Sequence, residues 1–222
     1  MTIAALILPL ALLQAEQTVA PSADDRFQRC VARIDDDAAQ AYEDAMVWAA
    51  EGHTVNAYRC AALALVGQNR FDEGARRFES LALAINPDNP ELKAELFSQA
   101  GNTWLLDHDG AHARSDFTRA ITTVQSNPQN LPDLLIDRAR AYAMEGNYRS
   151  AEEDLSHSLD IRPNDALALR LRASTRMHQN SFDLAMADAQ AAVNLEPTNV
   201  DALLMLGHTR EAKRTGQPVM EQ

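Results

Sequence analysis

A chain of 222 residues that is 46% hydrophobic but only 5% aromatic can bury a core, and one leaning on Ala and Leu favours close-packed helices over sheets. Its 20 basic and 32 acidic side chains leave a net charge of −12 with no basic run, which argues against a nucleic-acid ligand and an anionic membrane surface. Two cysteines and six scattered histidines exclude a Cys-rich zinc fold.

Residues 1–15 (MTIAALILPLALLQA) carry no charge, and Ile3 to Leu13 form an unbroken apolar run except for Pro9. The run is shorter than the roughly 20 residues needed to span a bilayer. It reads as a signal peptide with cleavage after Ala15 or Ala20, although no Lys or Arg precedes it and Leu13 is large for its place. The alternative is a buried helix, which Pro9 would break. Export implies a periplasmic or secreted protein; without a signal, the chain is cytoplasmic. No Cys lies near either cut, so a lipid-anchored form is not expected, nor is membrane insertion after signal removal. Residues 16–24 are polar, contain Pro21, and read as a disordered leader.

Residues 25–54 suggest a short helix over Asp25 to Ile34 and a second one after it. Asp35, Asp36 and Asp37 sit where carboxylates favour a helix start. Beyond residue 54 a period appears. Ala139, Ala173 and Gly207 stand 34 apart, as do Tyr148 and Phe182, Ala151 and Ala185, and Pro163 and Pro197. Each stretch reads as helix, turn (Glu145-Gly146-Asn147, then Gln179-Asn180-Ser181), helix and a Pro-containing exit. Further upstream, Gly101 precedes Ala139 by 38, and Ala62 precedes Gly101 by 39. The extra residues fit the loops around Asn127-Pro128 and Asn86-Pro87, where a stacked array tolerates insertions.

This pattern resembles the tetratricopeptide repeat (TPR), with a small residue at position eight, an aromatic at seventeen, Ala at twenty and twenty-seven, and Pro near thirty-two. Those positions hold Ala139, Tyr148, Ala151, Ser158 and Pro163, then Ala173, Phe182, Ala185, Ala192 and Pro197. Earlier units keep Gly101, Gly110, Ala113 and Ala120, and Ala62, Phe71, Gly74 and Leu81. The resemblance implies an all-α fold, a right-handed superhelical stack of antiparallel helix pairs, with four units over residues 55–199. Small residues let helix backbones approach where they cross, and neighbouring pairs must stack because one pair cannot cover its own apolar stripe. Ala38, Tyr42 and Ala45 then mark residues 25–54 as a degenerate repeat. Residues 200–214 form a capping helix with Arg210, Glu211 and Lys213 on a polar outer face, and residues 215–222 a frayed tail.

In that register Cys30 and Cys60 fall on neighbouring first helices. A disulfide is expected if the chain is exported, and two buried free thiols otherwise. Catalytic chemistry is not apparent. His108 and His112 flank the Asp109-Gly110 turn and need not share a face, so a solvated turn is preferred to a metal site. No phosphate loop or nucleophile elbow occurs, and no cofactor is expected. Trp48 and Trp104 read as core.

The family's first helices line a concave groove that holds a peptide or helix, through positions two, five and nine. By resemblance the groove residues are Arg59, Asn102, Arg140, Arg170, Ser174 and His208, with Arg59, Arg140 and Arg170 forming a locally basic stripe for an acidic partner segment. Pairing of the arginines with acidic residues of the array is the alternative. The family's chaperone clamp is only partly kept: Asn102 matches, but Ser98, Asp137 and Leu171 depart from it. The expectation is a non-enzymatic interaction module or scaffold of the cell envelope. The alternative is a structural subunit of an envelope assembly that uses its convex face.

Overall fold

The computed structural model describes residues 22–52, 54–124 and 128–219. The expected signal peptide and most of the leader lie outside the described residues. The helices among the described residues are α1 Ala23–Gly52, α2 Val55–Gly67, α3 Phe71–Ala84, α4 Pro90–Leu106, α5 Gly110–Thr123, α6 Leu131–Met144, α7 Tyr148–Ile161, α8 Ala166–His178, α9 Phe182–Leu195 and α10 Val200–Thr215, with a 3-10 turn over residues 128–130. No strand occurs among the described residues. The helices pair as antiparallel hairpins (α2 with α3, α4 with α5, α6 with α7, α8 with α9), and each hairpin packs on the next.

The first helix is two arms in one. Asp37 is extended (φ −154°, ψ 87°), and its carboxylate accepts the Gln40 amide at 3.0 Å, which caps the second arm. The first arm starts at Ala23, inside the span expected to be leader, and runs past Ile34. Most later helices are capped in the same chemical way, by Thr54, Asn89, Asp109, Asn147, Asp165 and Asn199.

Each hairpin turn holds one left-handed residue at the same register position: Asn69 (φ 58°), His108 (φ 58°), Gly146 (φ 74°) and Asn180 (φ 60°). The amide after it reaches back five residues, as in Ser181 to the Arg176 carbonyl at 2.8 Å and Asn147 to the Tyr142 carbonyl at 2.8 Å. That bond closes the preceding helix and reverses the chain.

Small residues do what the spacing implied. Ala62, Ala139 and Ala173 are buried at the crossings, and a Cβ on Gly101 would meet the Phe117 ring at 2.8 Å. Phe78, Phe117, Trp48 and Trp104 fill the space around them. Cys30 and Cys60 form a disulfide, with their Cα atoms 6.2 Å apart, that joins the first arm of α1 to α2.

Two buried forks stitch the last units together. Arg138 holds both carboxylate oxygens of Asp154 and also donates to the Thr118 hydroxyl at 3.3 Å. Arg172 does the same to Asp188 and Ser156. One unit earlier the arginine position is Ala100, and the buried Asp116 faces Glu79 instead. Burial, and then the neighbouring Glu79 charge, raise the Asp116 carboxyl to about 7.

Candidate peptide-binding groove

The first helices α4, α6, α8 and α10 contact one another in turn. Because all share one register, residues at position nine of successive units follow one another along the groove. Asn102, Arg140 and Ser174 line a single cavity of about 510 Å³, with Leu106, Met144 and Leu171 as its apolar lining. Ser174 and Leu171 also belong to the next cavity, of about 440 Å³, with Arg170, Leu204 and His208. Five of the six anticipated groove residues therefore lie on one continuous channel. Arg59 stands apart, stacked 5.1 Å over the Phe27 ring of α1.

The arginines do not form a free basic stripe. Arg59 pairs with Glu95, Arg140 with Asp137 at 3.2 Å, and Arg170 with Asp201 at 2.5 Å. In the first and last of these, position five of one unit meets position two of the next first helix, so inter-unit packing selects the partner. The groove thus carries alternating charge. Toward α4 it turns acidic, in a cavity of about 210 Å³ lined by Glu91, Glu95, Asp133 and Asp137.

Asn102 is held in place. Its amide donates to the Ser98 carbonyl at 3.1 Å and to Asp137 at 3.4 Å. Burial raises the Asp137 carboxyl from its ordinary value, against the opposing pull of Arg140 and Asn102. The His208 Nδ1 is buried with no hydrogen-bond partner among the described residues. Leu171 and Leu204, which make this end of the channel apolar, carried no signal beyond their register.

Three other histidines hold turn or packing positions. His112 stacks on Trp104 at 4.7 Å and bonds to Asp109, and His108 occupies the left-handed turn. His178 stacks on Tyr148 at 4.6 Å, a contact that single-residue reading did not suggest. Among the described residues no group of three or more His, Cys, Asp or Glu could hold a metal ion, and no helix is long and apolar enough to cross a membrane.

No family model matches the chain. Among curated proteins it is 25% identical over 136 residues to a Protein SGT1 homolog of Bos taurus, covering 61% of this chain but only 39% of that one. Among solved structures it is similar to BtubC (BKLC) from P. vanneervenii (TM-score 0.65, 11% identity, 85% of this chain and 84% of that one). It is also similar to the first TPR of Spaghetti (RPAP3) bound to the HSP90 peptide SRMEEVD (TM-score 0.50, 23% identity, 56% of this chain and 95% of that one). These likenesses and the all-helical hairpin stack agree: the chain has the tetratricopeptide-repeat fold, a right-handed α-solenoid.

Proposed function

We propose that the chain is a non-enzymatic protein–protein interaction module of the cell envelope that holds a peptide or helix along its concave groove. The observation that carries this is the continuous channel from Asn102 through Arg140 and Ser174 to His208. Its width is set by rigid first helices, so a ligand meets a largely preformed surface. Arg140 and Arg170 each sit in exposed or half-exposed ion pairs, which contribute little by themselves. A ligand carboxylate can replace Asp137 or Asp201 as their partner and gain a forked hydrogen bond. The acidic peptide bound by the RPAP3 repeat is the same ligand chemistry. The Cys30 to Cys60 disulfide supports an oxidising compartment, and with it export directed by residues 1–15.

The test is binding of a library of acidic and basic peptides to the wild type and to Arg140→Glu combined with Arg170→Glu. Loss of acidic-peptide binding in the variant supports the groove. Unchanged binding favours the second reading, a structural subunit using its convex face, where second helices expose Val47, Leu83 and Leu184. Fractionation of cells carrying the chain with and without residues 1–15 tests export. A full-length chain retained in the cytosol with free thiols would overturn it.

A further inference from the structure

Two junctions of the array repeat one polar arrangement, and the junction before them breaks it. An arginine on a first helix holds the aspartate of its own second helix and reaches a hydroxyl on the preceding second helix. The sets are Arg138, Asp154 and Thr118, then Arg172, Asp188 and Ser156. One unit earlier the same register positions hold Ala100, Asp116 and Glu79. The cation is gone, and a carboxylate stands where the hydroxyl was. Asp116, on α5, is 1% exposed, and its Oδ2 has no hydrogen-bond donor among the described residues. Glu79, on α3, is half-buried and accepts the Trp104 indole N–H of α4 at 2.8 Å. Three helices therefore meet at two carboxyl groups. The surrounding charges do not replace the arginine. Arg119, exposed on α5 itself, reaches only the Asp116 Oδ1, at 3.2 Å. Arg76 of α3 lies over the Trp104 ring and pairs with Asp72. From α4 the contact is the uncharged Trp104 N–H, and Arg138 of α6 is held by Asp154. His112 of α5 stacks on Trp104 and bonds to Asp109.

We propose that a proton shared between Asp116 and Glu79 fastens the α2–α3 hairpin to α4 and α5, and that this junction loosens as the solution turns alkaline. The proton takes the place of the arginine fork of the later junctions. It removes one of two buried charges and gives the Asp116 O–H a carboxylate to donate to. Burial, and then the Glu79 charge, raise the Asp116 carboxyl to about 7, so ordinary changes around neutral pH cross the transition. The closed junction holds a proton that an open, solvated Asp116 releases. Closure is therefore favoured at low pH, and the ratio of closed to open falls about tenfold between pH 6 and pH 8. The Cys30 to Cys60 disulfide ties the first arm of α1 to α2, so α1, α2 and α3 move together. On the groove side Arg59 of α2 pairs with Glu95 of α4 across the same junction. Loosening between α3 and α5 thus changes the angle of the N-terminal end against the array. The junctions of α6 to α9, which keep their guanidinium groups, do not respond.

Hydrogen exchange of the full chain at pH 6 and pH 8, corrected for the intrinsic pH dependence of exchange, tests the proposal. Protection of α3 is expected to fall about tenfold more than protection of α7 and α9. The Trp104 indole N–H resonance, which reports on Glu79, is expected to titrate over the same range. Asp116→Asn and Glu79→Gln keep the shape of the site and each supply an amide donor that no pH change in this range removes. Both variants are expected to flatten the α3 response and the Trp104 titration. An α3 response no larger than that of α7 overturns the proposal, and so does one that persists in either variant. A Trp104 titration that survives Asp116→Asn arises from the stacked His112 and overturns it too.

Discussion

Arg138 grips Asp154 through two parallel N–H···O bonds of 2.8 and 2.7 Å, and Arg172 grips Asp188 the same way 34 residues later. Both pairs join the first and second helices of one unit, and both add a hydroxyl from the preceding unit. The fork therefore ties three helices at once. A buried pair of this kind stabilises little relative to an apolar pair, but losing one partner is costly because a charge is stranded.

Arg138→Met is expected to destabilise by about 3–5 kcal/mol in urea unfolding, and adding Asp154→Leu recovers most of the loss. Arg172→Met costs less, because Asp188 keeps a second partner in Arg176 at 2.7 Å. Equal losses at the two sites would show that the second arginine contributes nothing.

Asp116 has Ala100 where the later units place the forked arginine; Arg119, on its own helix, reaches only its Oδ1 at 3.2 Å, and its Oδ2 has no hydrogen-bond donor. Its carboxyl is raised from 3.8 to about 7, so between those values the native state holds a proton that the unfolded state has released. This group's contribution to stability is therefore full below about pH 4, falls as pH rises, and is lost above about pH 7. Asp116→Asn removes that slope and stabilises the protein at pH 8 by roughly 1–2 kcal/mol. Thermal melts at pH 5 and pH 8 check the sign. A larger gain at pH 5 would refute it.

The Cys30 to Cys60 disulfide closes a loop of sequence separation 30. Reducing it, or replacing both cysteines with Ser, is expected to cost about 3–4 kcal/mol in the chain-entropy model. In a stacked array the loss stays local. Hydrogen exchange should rise in α1 and α2 and stay unchanged in α6 to α9. Uniform acceleration would mean the array unfolds as one unit.

At the hairpin turns, Gly146→Ala places a side chain at φ 74° and should destabilise by about 1 kcal/mol. Asn180→Gly, at φ 60°, should be neutral or mildly stabilising, and His108→Val should cost more than Gly146→Ala because a β-branched residue resists that conformation. Chemical unfolding of the three variants measures the order.

The hairpins, their turns and the small-residue crossings were legible from spacing. A position such as Ala139 or Ala173 meets the same neighbours in every unit, and only a small side chain fits there. The family resemblance, through its register, also placed Asn102, Arg140, Ser174 and His208 along one surface and set Cys30 and Cys60 on neighbouring first helices. The partners of long charged side chains were not legible. Arg59 and Arg170 each have several carboxylates in range, and the stagger between adjacent first helices selects Glu95 and Asp201. Asp35, Asp36 and Asp37 are chemically equal as helix caps, and only the bend between the arms of α1 singles out Asp37. The meeting of Glu79 with Asp116 belongs to the same class, since they come from different units and no periodic signal links them.

The repeat period, and the family it resembles, sufficed for the helical stack, because a repeated close approach leaves a repeated small residue wherever it occurs. Which charges cancel inside the groove, and which carboxylate faces Asp116, waited on the three-dimensional packing. Those outcomes depend on how far each hairpin is rotated against the next, a quantity summed over many weak contacts that no single residue encodes.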